Sequence, residues 1–95
     1  MQEVTITLDD GGKSQALSIS STSAQSAAIT SGFCRIYATV DCFARQGSNP
    51  TAVSDGTDTF IPAGIWTCVN LGRGNKLAFK TTSLSGTVYI TPENI

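Results

Sequence analysis

Apolar side chains recur at every second position along almost the whole chain, and nothing longer than a single turn keeps a helical spacing. The run from Phe33 to Arg45 constrains the fold most. Cys34, Ile36, Ala38, Val40, Cys42 and Ala44 fall on one parity, and Arg35, Tyr37, Thr39, Asp41 and Arg45 on the other, so one face reads as core and the other as wet. Drawn out as a single strand, such a run spans ~43 Å, whereas strands usually hold about 5 to 6 residues. The segment must bend or break near Val40-Asp41. It has no Gly or Pro there, so it reads as a strand turning a corner between two sheets rather than as a tight hairpin.

The same period organises the rest. Val4, Ile6 and Leu8 alternate with Thr5 and Thr7, giving a strand over residues 3–8, and Asp9-Asp10-Gly11-Gly12 reads as a hairpin turn. The return strand runs from Ser14 to Ser20 with Leu17 and Ile19 facing in. Residues 20–32 are small, polar and weakly patterned, and read as a long connection or a short irregular strand around Ala28-Ile29-Thr30. Gly47-Ser48-Asn49-Pro50 signals a turn and Ser54-Asp55-Gly56-Thr57-Asp58 a surface loop. Phe60-Ile61-Pro62 enters a further strand, where Pro62 argues for an edge position or a strand start because it cannot donate to a ladder. Ile65 to Leu71 alternates, Gly72-Arg73-Gly74-Asn75 turns the chain as a hairpin, Leu77 to Thr81 runs back, and Ser85-Gly86 turns into Thr87 to Thr91.

These signals predict one all-β domain over residues 1–95, a small β-sandwich or jelly-roll-like barrel of seven or eight short antiparallel strands. Its expected core is Ile36, Ala38, Val40, Val69, Leu77, Phe79, Val88 and Ile90. Composition agrees: 24 residues are Ser or Thr, 9 are Gly, and 14% are charged.

Chemistry is sparse. Histidine is absent, which removes the usual general base, the imidazole metal ligand and every Ser-His or Cys-His pair. Asp55-Gly56-Thr57-Asp58 with Asp9 and Asp10 lacks a twelve-residue ligand loop and a closing Glu, so it reads as turn chemistry rather than a calcium site. The paired Asp9 and Asp10 sit at an expected hairpin tip, not in a cleft, and Gly72-Arg73-Gly74 precedes no helix as a phosphate loop would. Cys34, Cys42 and Cys68 match no zinc spacing; they are expected to be buried, reduced thiols, with a Cys42–Cys68 bridge as the rival in an oxidising medium. The expectation is a protein that is not an enzyme and has no catalytic residue, cofactor or metal. Net charge is −1 and the six basic residues are scattered, which argues against nucleic acid. No window is apolar enough for a membrane helix and Met1-Gln2-Glu3 lacks a signal-peptide pattern, so a soluble chain made in the cytoplasm is expected.

The candidate contact residues are Tyr37, Trp66 and Tyr89, whose rings either present binding platforms or cover the edges of a thin core, together with the loops around Asn49 and Asp58.

Ser26-Ala27-Ala28-Ile29, Arg35-Ile36-Tyr37-Ala38-Thr39, Asp41-Cys42-Phe43, Gly47-Ser48-Asn49-Pro50-Thr51-Ala52, Phe60-Ile61-Pro62-Ala63-Gly64 and Ser85-Gly86-Thr87-Val88-Tyr89-Ile90-Thr91 together resemble a family of small structural proteins of tailed phages and prophages. The resemblance covers residues 25–91 and leaves 1–24 as an N-terminal hairpin or assembly arm. It implies a virion component, a head decoration or cement protein that forms a homo-oligomer, a trimer by analogy with three-fold capsid positions, and docks on a capsid or other virion protein. The alternative is a carbohydrate- or receptor-binding module of a phage tail or other surface. Residues at the matched positions specify strands and turns, so the resemblance assigns no functional residue.

Overall fold

The computed structural model describes residues 14–29, 32–71 and 76–92. Eight strands follow one another: β1 (Gln15–Ile19), β2 (Ala24–Gln25), β3 (Phe33–Ala38), β4 (Cys42–Gly47), β5 (Thr59–Ile61), β6 (Thr67–Asn70), β7 (Lys76–Lys80) and β8 (Gly86–Pro92). The described residues contain no helix. All pairings are antiparallel. The first strand pairs with the last, the second with the seventh, the third with the sixth and the fourth with the fifth. This nested hairpin is then rolled up by two further pairings, β3 with β8 and β4 with β7. The result is a jelly roll, a sandwich of two four-stranded sheets in the orders β1-β8-β3-β6 and β2-β7-β4-β5. The predicted fold class holds, with eight strands among the described residues.

The corner is where the over-long alternating run requires it. β3 belongs to the first sheet and β4 to the second, and residues 39–41 cross between them. Thr39 is locked to the start of β8: its N–H donates to the Thr87 carbonyl at 3.0 Å, and its hydroxyl oxygen accepts from the Thr87 N–H at 2.9 Å. The chain passes so close here that only glycine fits at position 86. A Cβ on Gly86 would lie 2.6 Å from Thr39 Oγ1 and 2.7 Å from Val40 Cγ2.

Alternation on both sides of the corner fills one core. Cys34, Ile36, Ala38, Cys42, Phe79, Val88 and Ile90 are fully buried, Leu77 nearly so, and Leu17, Val40, Ala44 and Val69 pack at its border. Each large aliphatic or aromatic side chain removed from water in this way contributes ~1.5–3 kcal/mol. Every expected core residue is in this cluster or packed against it, and β5 is an edge strand that ends just before Pro62.

Three local readings need correction or fall elsewhere. The short second strand is Ala24–Gln25, not a strand around Ala28-Ile29-Thr30. The ladder is prolonged by Ser26, whose N–H donates to the Leu77 carbonyl at 2.7 Å while its hydroxyl oxygen accepts from the Leu77 N–H at 3.0 Å. Ile29 is buried without belonging to a strand. The turn at Gly72-Arg73-Gly74-Asn75 lies outside the described residues; its flanking strands β6 and β7 are in different sheets and do not pair as a hairpin. The strand over residues 3–8 and its Asp9–Gly12 turn also lie outside the described residues.

Candidate functional site

The outer faces of the two sheets differ in what covers them. On the second sheet the outward side chains include Gln25, Phe43, Arg45, Phe60, Ala78 and Lys80, and the β4–β5 connection is strapped across them. Gln25 Nε2 donates to Asn49 Oδ1 and to the Pro50 carbonyl, each at 3.0 Å, and Lys80 Nζ donates to Ser54 Oγ at 3.1 Å. Arg45 Nε donates to Asp58 Oδ1 at 2.7 Å, and the other carboxylate oxygen accepts from the Val53 N–H at 2.7 Å. Ala52 closes the strap with its N–H on Ser23 Oγ at 2.8 Å. Beneath it Ala52 and Ala78 are buried apart from the central core. Within the strap the Thr57 hydroxyl and N–H both donate to Asp55 and hold its carboxyl below the usual carboxylate range. Phe43 and Phe60 pack edge to face with centroids 5.5 Å apart. Asn49 and Asp58 thus serve the strap, and the Asp58 side chain is only 5% exposed.

No such strap lies on the first sheet among the described residues. Alternation sends Phe33, Arg35 and Tyr37 of β3 outward, and register aligns them with β8: Tyr37 is opposite Tyr89, and Arg35 opposite Thr91. Trp66 immediately precedes β6 and packs on Tyr37, with ring centroids 5.2 Å apart and planes tilted by 52°. The row Tyr89–Tyr37–Trp66 therefore crosses three neighbouring strand positions. It brings together three of the candidates read from the sequence, while Asn49 and Asp58 belong to the other sheet. Phe33, Trp66 and Tyr89 remain 46–48% exposed. Hydroxyls of Ser18, Thr87 and Thr91 line the row on the β1 and β8 side.

A local device positions the tryptophan. Asp41 Oδ1 accepts from the Ala63 N–H at 2.8 Å, Gly64 adopts a left-handed φ of 76°, and its N–H donates to the Ala38 carbonyl at 2.9 Å. This turn brings Ile65 and Trp66 alongside the end of β3, and glycine is needed because an L side chain is strained at that φ.

Arg35 corrects the sequence reading. Its parity assigns it to the wet face, yet it is 5% exposed, with Cζ 5.7 Å from the Trp66 ring centroid in cation–π geometry. Parity gives the face but not the burial. Phe33, Arg35, Asp41 and Gly64 were not singled out as contributors. The signal available for them was the shared parity of Phe33, Arg35 and Tyr37 and the Pro62-Ala63-Gly64 turn just before the tryptophan.

Cys68 is the second correction. It pairs with Arg35 in register and is exposed on this same face, not buried. Cys42 lies inside the core, on the opposite side of the first sheet, so this fold keeps the two thiols from bridging. Burial, and secondarily the charge of Asp41, pushes the Cys42 thiol up to about 11.

A cavity of about 210 Å³ opens between β5 and β6, lined by Ile36, Ile61, Val69 and Leu77 with exposed Gln46 and Thr59. It is smaller than the ~300–1,000 Å³ of ordinary ligand clefts. Among the described residues no three His, Cys, Asp or Glu side chains gather as metal ligands. Comparison with protein-family models, curated proteins and solved structures found no match.

Proposed function

We propose that the chain is a non-enzymatic structural protein of a phage virion, a head decoration or cement protein that self-associates and docks on a capsid lattice. One observation carries the reading: the second sheet is strapped by its own loop, while the first presents Phe33, Trp66 and Tyr89 half-exposed around Tyr37, and among the described residues that face has no strap and no Lys, Asp or Glu. Aromatic residues and Arg are enriched, and Lys, Glu and Asp depleted, at the centres of protein interfaces. The jelly roll supports the reading only loosely, since capsid proteins and lectins share it and sites rather than folds carry function. The resemblance over residues 25–91 supports the virion setting. Electron microscopy of purified particles tests it directly: the chain is expected as an ordered layer on the shell, and particles that lack it would defeat the reading.

A carbohydrate- or receptor-binding role is the second reading, favoured by the row of three aromatic rings. The 52° tilt between Tyr37 and Trp66 counts against it, because a sugar stacking across both rings needs them nearly coplanar. A glycan array separates the two readings.

A further inference from the structure

We infer that the bare face of the first sheet is closed by a second copy of the chain, packed face to face about a two-fold axis. The inference names the partner of the surface described above and rests on its reading as a docking surface.

Charge is the first argument. A two-fold contact sets the same patch against itself, so a face with clustered like charges repels its own copy. Among the described residues of this face Arg35 is the single charge, and it is already buried, with Trp66 over its guanidinium. Among its described residues the face therefore has no exposed charge to repel a copy or to select a partner of opposite sign.

Shape and chemistry agree. Sheets pack face to face ~10 Å apart with strand directions within about 30°, and interlocking side chains fill the gap. Phe33, Trp66 and Tyr89 provide large, half-exposed rings for that layer, while small Ala16, Ser18 and Cys68 leave room between them. The protein measures 34 × 34 × 21 Å, and a two-layer sandwich is thin across its layers. The broad side of the molecule, connections included, is of order 1,000 Å², and the outer face of the four-stranded sheet is one part of it; a standard interface takes ~800 Å² from each partner. The strapped sheet offers no equivalent: its outer side carries Arg45 and Lys80, both engaged with the loop that covers it.

Cys68 is a built-in reporter, because Cys34 and Cys42 are buried and the exposed thiol lies on the face in question. The test is light scattering and native iodoacetamide alkylation across a concentration series. The mass is expected to double from 9.9 kDa as concentration rises, with Cys68 alkylation slowing in parallel. Tyr89→Lys, which sets a charge against its copy, should stay monomeric and lose the concentration dependence of alkylation. Ser18→Lys on the same face provides the same comparison should Tyr89→Lys fail to fold. Phe60→Lys on the strapped sheet should behave as the unsubstituted chain does. A monomer at every concentration, an oligomer in which Cys68 reacts as fast as in dilute solution, a trimer, or a glycan-binding monomer would each overturn the inference. A dimer missing from purified particles defeats the virion reading and leaves the dimer standing. A monomer that coats shells does the reverse.

Discussion

Trp66 stands against Tyr37, ring to ring at 5.2 Å, and the same indole covers the Arg35 guanidinium. One half-exposed side chain thus joins β3 to the segment that leads into β6. Trp66→Ala should retain the fold, because the ring lies outside the core, and should lose about 1 to 2 kcal/mol with the aromatic and cation–π contacts. Urea unfolding measures that loss. Self-association should fall much further than stability, since the ring is the largest anchor on the face.

Gly86 tests the corner. A methyl at this position meets Thr39 and Val40 at distances no real Cβ occupies, in the place where Thr39 is bonded to Thr87 from both sides. Gly86→Ala should therefore destabilise by roughly 1 to 3 kcal/mol through overpacking. An unchanged urea midpoint would mean that the corner is looser than described.

The corner also shows what the sequence made legible. A run of one parity from Cys34 to Ala44 is too long for a strand and has to change sheets, which can be read without knowing any partner. Pairing is different. Gly72-Arg73-Gly74 looks like a hairpin turn, because glycine supports a tight reversal and a crossover equally well, and only the sheet order, with β6 and β7 in different sheets, separates them. Alternation likewise sends Tyr37, Tyr89 and Trp66 outward strand by strand, but their meeting in one row depends on register. The cation–π contact of Arg35 is likewise with a neighbour more than thirty positions away.

Cys42 makes stability fall in alkali. Its folded thiol titrates at about 11 against an ordinary 9.0, so the folded state holds this proton more tightly than the unfolded chain does. That contribution is fully present below pH 9 and is lost as pH rises from 9 to about 11, by about 2 to 3 kcal/mol. Urea unfolding at pH 8 and pH 10.5, compared with Cys42→Ala, isolates it. The substituted chain should show a shallower decline, and equal slopes would refute the assignment.

Asp58 should behave as a fastener. Asp58→Ala leaves Arg45 Nε and the Val53 N–H without their carboxylate, at a cost of about 1 to 3 kcal/mol. Hydrogen exchange at Val53 should quicken, while association through the first sheet should persist. Loss of association with exchange at Val53 unchanged would instead make Asp58 a contact residue.

Trp66 is the sole tryptophan, so its fluorescence reports from the outer face of the first sheet, on its β6 side, without any label. The decisive measurement compares its emission and acrylamide quenching in the dilute chain and in the assembled form, whether self-associated or bound to shells. Burial of the first sheet's outer face predicts a blue shift and strong protection from quenching on assembly. Emission and quenching identical to those of the dilute chain, in a form shown by mass to be assembled, would contradict the claim that this face does the binding.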